Sequence, residues 1–123
     1  MENLDKFYIN GCWVKPNSSQ SMPVLNPASE MQIGTITLGN EVDVDAAVAA
    51  ATKAFSTYSK SSKAERLQLL KRLMTGTQER FEDLAQAMSA EMGAPISMAR
   101  DAHADAAVGH LQGFIEALEK LEN

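Results

Sequence analysis

The 123 residues predict an α+β fold, mainly helical, with N-terminal β-hairpins followed by about three helices. Two observations carry this prediction. The first forty residues hold short apolar runs punctuated by turn chemistry, whereas from Asn40 onward apolar residues recur at three- and four-residue spacing, the helical period. The length suits one domain with a modest core. A single unit over 1–123 is therefore expected, divided into a β-hairpin region at 1–39 and a helical region at 40–123.

Phe7-Tyr8-Ile9 and Cys12-Trp13-Val14 flank Asn10-Gly11, the dipeptide best suited to the positive φ angles of a type I′ turn, so a hairpin is predicted at 6–15. Pro16 to Ser21 is a polar loop. Met22 to Leu25 and Met31 to Thr37 form a second strand pair across Asn26-Pro27-Ala28-Ser29-Glu30, although the alternation is too imperfect to assign faces. The first helix starts at Asn40 as N-cap with Asp43 at its third position, carries Val44, Ala47, Val48, Ala51 and Phe55, and runs to about Thr57. Ser56 to Ser62 contains four serines and reads as a loop. Ser62-Lys63-Ala64-Glu65 is a capping box, opening a helix with Leu67, Leu70, Leu73 and Met74 as its buried stripe. Gly76 predicts a kink or break before the pattern resumes with Phe81, Leu84, Ala85, Met88 and Met92. Gly93 then ends one helix and Pro95 starts the next, expected over 96–121 with an alanine-rich first half and Leu111, Phe114, Ile115, Leu118 and Leu121 in its second.

Sixteen acidic against eleven basic side chains leave a net charge of -5, which opposes the counterion release that drives nucleic-acid binding. No run approaches a membrane span, and the first residues lack the basic and apolar regions of a signal peptide. One cysteine, Cys12, forms no intrachain disulfide, so a cytoplasmic setting is the simplest reading. Neither nucleic acid nor a membrane is an expected partner.

Candidate chemistry is sparse. Cys12 lies beside a hairpin turn, with no base or helix N-terminus in its sequence neighbourhood to activate it. His103 and His110 are seven residues apart, about 10 Å along a helix and too far to share one metal ion. Asp101 and Asp105 make an i,i+4 carboxylate pair that reads as a solvated face. No glycine-rich phosphate loop occurs. The residues themselves therefore assign no catalytic group and no cofactor-binding group.

Five collinear segments nevertheless resemble the aldehyde dehydrogenase family: Phe7 to Trp13, Asn26-Pro27-Ala28-Ser29 with Ile33-Gly34, Asp43 to Phe55, Ala64-Glu65-Arg66 with Leu69-Leu70, and Glu91-Met92-Gly93-Ala94-Pro95. Ala94 stands where the family usually has lysine. The resemblance implies the outer N-terminal part of a coenzyme-binding domain, from an enzyme that oxidises aldehydes to carboxylic acids with NAD or NADP. It also implies that the nucleophilic cysteine, the general-base glutamate, the oxyanion-holding segment and the dinucleotide-binding lysine and glycine turn lie beyond Asn123. The chain is then an N-terminal scaffold fragment, inactive alone and needing no cofactor by itself. The alternative is a self-associating module, a homo-oligomer or a partner of a full-length dehydrogenase subunit. Many family members hold a structural monovalent cation with backbone carbonyls before the Asn-Pro turn and an acidic residue before the Gly-Lys-Pro segment. By that resemblance the positions here are Val24, Leu25 and Glu91.

Overall fold

The computed structural model describes residues 5–121, in two compact units divided between Lys60 and Ser61. The outermost positions of the expected 1–123 span, including the start of the signal-peptide reading, lie outside the described residues.

The first unit contains two antiparallel hairpins and one helix. Strands β1 (Phe7–Ile9) and β2 (Cys12–Val14) pair with Phe7 opposite Val14 and Ile9 opposite Cys12. Their turn places Asn10 at φ 53° and Gly11 at φ 78°, the left-handed pair that a type I′ turn requires. Tyr8 and Trp13 stack edge to face across the strands with centroids 5.2 Å apart, a pairing that fixes the hairpin register. Strands β3 (Ser21–Leu25) and β4 (Gln32–Thr37) form the second hairpin, with a bulge between Val24 and Leu25. Asn26 organises its turn: its Oδ1 accepts from the Ala28 and Ser29 amides at 2.9 and 3.3 Å. Its backbone carbonyl accepts from Glu30 N at 2.8 Å. Pro23 is tolerated because each strand of a two-stranded sheet is an edge.

Helix α1 (Glu41–Tyr58) opens on a full capping box. Asn40 Oδ1 accepts from Val42 N and Asp43 N, while Asp43 Oδ2 accepts from Asn40 N at 3.0 Å. The other Asp43 oxygen accepts from Asn17 N at 2.8 Å, and Asn40 Nδ2 donates to Asn17 Oδ1, which ties the polar loop after β2 to the helix start. Gly39 sits so close to Phe7 that an added Cβ would lie 3.2 Å from the ring. The helix runs one residue past the expected Thr57, and within the expected serine-rich loop Ser56 and Thr57 donate their hydroxyls back to the Lys53 and Ala54 carbonyls.

The second unit is helical. Helix α2 (Lys63–Glu79) begins on the reciprocal box of Ser62 and Glu65, with Ser62 N donating to Glu65 Oε2 at 2.7 Å. The break expected near Gly76 falls at Arg80, whose φ of −107° and ψ of 17° leave the helical region. Thr75 and Thr77 hold the turns around Gly76 by donating to the Lys71 and Leu73 carbonyls, and Glu82 and Asp83 favour a new N-terminus just beyond Arg80. Helix α3 (Phe81–Met92) stops at Gly93, at φ 71°. The expected last helix runs from Ile96 as α4 (Ile96–Met98), a π-helical segment (Ala99–Ala104) and α5 (Asp105–Lys120). Among the described residues, four helical rods thus stand where about three were expected, because the second is divided at Arg80.

The core of this unit is small-residue packing. Ala85, Ala99 and Ala104 are fully buried, with Phe81, Leu84, Met88 and Ile96 packed around them. Helix α5 runs along α2, and Lys63 Nζ donates to the Glu119 and Leu121 carbonyls, satisfying acceptors at the α5 C-terminus. Leu73, expected in the buried stripe of α2, faces outward instead at 54% exposed, and on α5 Phe114 is 67% exposed. Leu73 lies one residue, about 100°, from the half-buried Met74, which takes the inward place on α2.

Candidate functional site

The side chains with chemical potential are spread across both units. Cys12 is exposed on β2, opposite Ile9. His103 lies in the π-helical segment, where its Nδ1 is buried without a hydrogen bond among the described residues, and His110 is exposed on α5. Asp101 and Asp105 are both exposed. Among the described residues, no group of three or more histidine, cysteine, aspartate or glutamate side chains is arranged to hold a metal ion.

The positions implied for a cation divide between the units. Val24, half-buried and opposite Gly34, and Leu25, exposed and opposite Gln32, flank the bulge of the second hairpin. The extra residue there, Ile33, interrupts the ladder, the setting in which a strand carbonyl turns away from its partner. Glu91 is an exposed residue in the last turn of α3. Val24 and Leu25 are therefore brought together by β3, whereas Glu91 belongs to the other unit.

Fit to a dinucleotide can be tested on the helix N-termini, where a pyrophosphate is usually held by free amides. The first turn of α1 already binds the Asn40 side chain, and Asp43 sits within it. That of α2 carries Glu65, and that of α3 carries Glu82 and Asp83. The two glycines with positive φ serve a hairpin turn and a helix end. The acidic first turns of α1, α2 and α3 do not fit a pyrophosphate, whereas the start of α4 after Pro95 carries neither a side-chain cap nor an acidic residue.

The charged side chains act as braces. Arg100 reaches from the π-helical segment to Glu82 on α3 with two hydrogen bonds of 2.9 and 2.7 Å. With Gln86 donating as well, this fork holds the Glu82 carboxyl down at about 2 and raises Arg100. Glu119 is lowered chiefly by its hydrogen bond from Lys71 at 2.8 Å, and Glu65 by the backbone and hydroxyl of Ser62. Glu82 and Arg100 escaped the sequence reading because their pairing spans eighteen positions and two helices.

Apolar surface is the other prominent feature. Phe114, Leu118 and Leu121 of the second unit line an open groove of about 320 Å³ with Leu70 and Ala117. In the first unit, no residue of α1 is buried, and Phe55 is 67% exposed.

The aldehyde dehydrogenase family model matches residues 13–123. The chain belongs to the aldehyde dehydrogenase family. A putative aldehyde dehydrogenase of Staphylococcus aureus (strain bovine RF122 / ET3-1) is 38% identical over 123 residues, which is 100% of this chain and 25% of that protein. The 3-succinoylsemialdehyde-pyridine dehydrogenase of a Pseudomonas species is 40% identical over 111 residues, covering 89% of this chain and 23% of its own length. Among solved structures, a mutant aldehyde dehydrogenase C from Pseudomonas syringae, complexed with NAD+ and octanal, superposes with a TM-score of 0.95 at 41% identity. That match covers 98% of this chain and 25% of the other. The aldehyde dehydrogenase of Bartonella henselae gives 0.93 at 38% identity, over 95% of this chain and 25% of its own. The chain thus spans about a quarter of the length of the relatives it matches, and corresponds to an N-terminal segment of the family.

Among the described residues, no helix is long and apolar enough to cross a membrane.

Proposed function

We propose that this chain is outer scaffold for the coenzyme-binding domain of an NAD(P)-dependent oxidoreductase that converts an aldehyde to a carboxylic acid, and that these 123 residues alone are inactive. The observation that carries this reading is the near-complete superposition on an aldehyde dehydrogenase complexed with NAD+ and octanal. The chain's own chemistry supports the second half: its single cysteine is exposed on a hairpin strand, and the first turns of α1, α2 and α3 carry acidic side chains that oppose a pyrophosphate. A covalent thioester route needs a nucleophile, a base and a hydride acceptor held together. The test is reduction of NAD+ or NADP+ by the purified 123-residue chain with a panel of aliphatic and aromatic aldehydes, octanal included. No reduced dinucleotide above the buffer control is expected. Turnover that scales with protein concentration would overturn the proposed inactivity.

A second reading is favoured by the exposed apolar side chains of α5: the chain associates with a second copy of itself or with a full-length dehydrogenase subunit. Phe114, Leu121 and their groove supply the adhesive surface. Light scattering across a concentration series should show a dimer or larger species, and Phe114→Asp should shift it toward monomer. A monomer at every concentration would refute self-association. The lone cysteine supports a cytoplasmic location. Subcellular fractionation of the tagged chain tests that placement.

A further inference from the structure

From Ile96 to Lys120 the helical path is continuous, yet its two ends meet different partners. The first end packs on α3 through Ala99 and Ala104, which are buried with Ala85. The second end runs along α2, with Leu111 and Leu118 half-buried and Ile115 nearly fully buried. The π-helical segment Ala99–Ala104 lies between them.

Residue spacing shows what that segment does. Ile96 to Ala99, Leu111 to Ile115 and Ile115 to Leu118 are steps of three or four, as one face of an α-helix demands. Ala99 to Ala104 is a step of five. At 3.6 residues per turn, five residues sweep about 500°, so the two alanines would point about 140° apart. With i→i+5 bonding and roughly 4.4 residues per turn, the same step is about 410° and leaves them about 50° apart. Only the wider turn lets both methyl groups reach the Ala85 side of α3.

The downstream consequence is large. Continued from Ala99 at the α period, the inward face would pass through His103, His110 and Gly113, with Leu111 and Ile115 turned about 120° and 160° away. The structure instead exposes His110 and Gly113 and buries Ile115. Arg100, inside the segment, clamps it to α3 through the two-pronged bond to Glu82.

We propose that Ala99–Ala104 is a one-residue register joint: a single additional residue, absorbed as a π turn, phases one helix onto two partners that a straight α-helix could not serve together. The joint makes an unusual forecast about deletions. Removing Ala102, which is exposed, would leave Ala99 and Ala104 four apart, the α spacing, and would keep every later residue on its present face. Removing Gln112, an exposed residue of α5, would rotate Ile115 and Leu118 by about 100° relative to the joint.

The test is thermal unfolding of the whole chain and of these two deletions by far-UV circular dichroism. The Ala102 deletion is expected to keep its helicity and a midpoint within about 5 °C of the parent, while the Gln112 deletion falls by more than about 10 °C or loses cooperative melting. Equal losses, or a greater loss for the Ala102 deletion, overturn the joint. Amide hydrogen exchange on the unaltered chain is an independent readout, because the wider π turn hydrogen-bonds less well than its α-helical flanks. Exchange across 102–105 at least about tenfold faster than in the middle of α5 is expected, and uniform protection overturns the proposal.

Discussion

Ile115 and Phe114 are adjacent in α5, yet Ile115 is 3% exposed and Phe114 is 67% exposed. Truncating each to alanine therefore separates the helix register from hydrophobicity, since phenylalanine is the larger apolar residue. Ile115→Ala removes three carbons from a closed site, and at about 0.8 kcal/mol per buried carbon the transfer loss is about 2.4 kcal/mol. The cavity left behind raises the total to about 3–4 kcal/mol, within the range of such core truncations. Phe114→Ala alters mostly solvated surface and should cost less than about 0.5 kcal/mol. Urea unfolding followed by far-UV circular dichroism, at a concentration low enough to suppress association, measures both. Against a total stability of about 5–15 kcal/mol, the Ile115 variant should unfold at a clearly lower urea midpoint, with the Phe114 variant superposing on the parent. A Phe114 loss equal to or greater than the Ile115 loss would refute the register, because it would place the ring rather than the isoleucine in the interior.

Three further outcomes follow from local geometry. Asn40→Ala removes the acceptor used by two amides at the α1 N-terminus and should cost about 1 kcal/mol, read as a lower melting midpoint and faster amide exchange in the first turn. Gly93→Ala forces a Cβ into the left-handed region at φ 71° and should cost about 1–2 kcal/mol in the same melt. Glu82 has its carboxyl lowered from 4.5 to about 2 by Arg100 and Gln86, so its ionised form favours the folded state. That contribution is fully present above pH 4.5 and disappears as pH falls through about 2. The melting midpoints of the parent and Glu82→Gln should therefore differ near neutral pH at low salt and converge toward pH 2. A difference that is constant with pH would show that the fork does not shift Glu82.

The family assignment rests on wording that needed no tertiary information: the collinear segments from Asn26-Pro27 to Gly93-Ala94-Pro95 are covered by the family match over 13–123. The candidate site was less legible. Val24, Leu25 and Glu91 were reached by resemblance alone, because backbone carbonyls leave no residue-type signature and one carboxylate among sixteen acidic side chains singles out nothing. Arg100 and Glu82 were missed because neither charge names its partner until two helices are packed.

What the sequence determined by itself is everything that neighbours can settle. Asn10-Gly11 adopts positive φ because glycine and asparagine tolerate it, and the Asn40 and Ser62 boxes start helices because a side chain three residues away reaches back to the cap. Gly93 ends α3 for the same local reason. Tertiary structure alone decided the outward Leu73 and Phe114 and the π turn at Ala99–Ala104. Local preference in an alanine-rich stretch favours the α-helix, and the π turn is the rarer, less favourable pattern. The choice falls to packing, because only the wider turn closes both alanines onto Ala85 while keeping Ile115 inside.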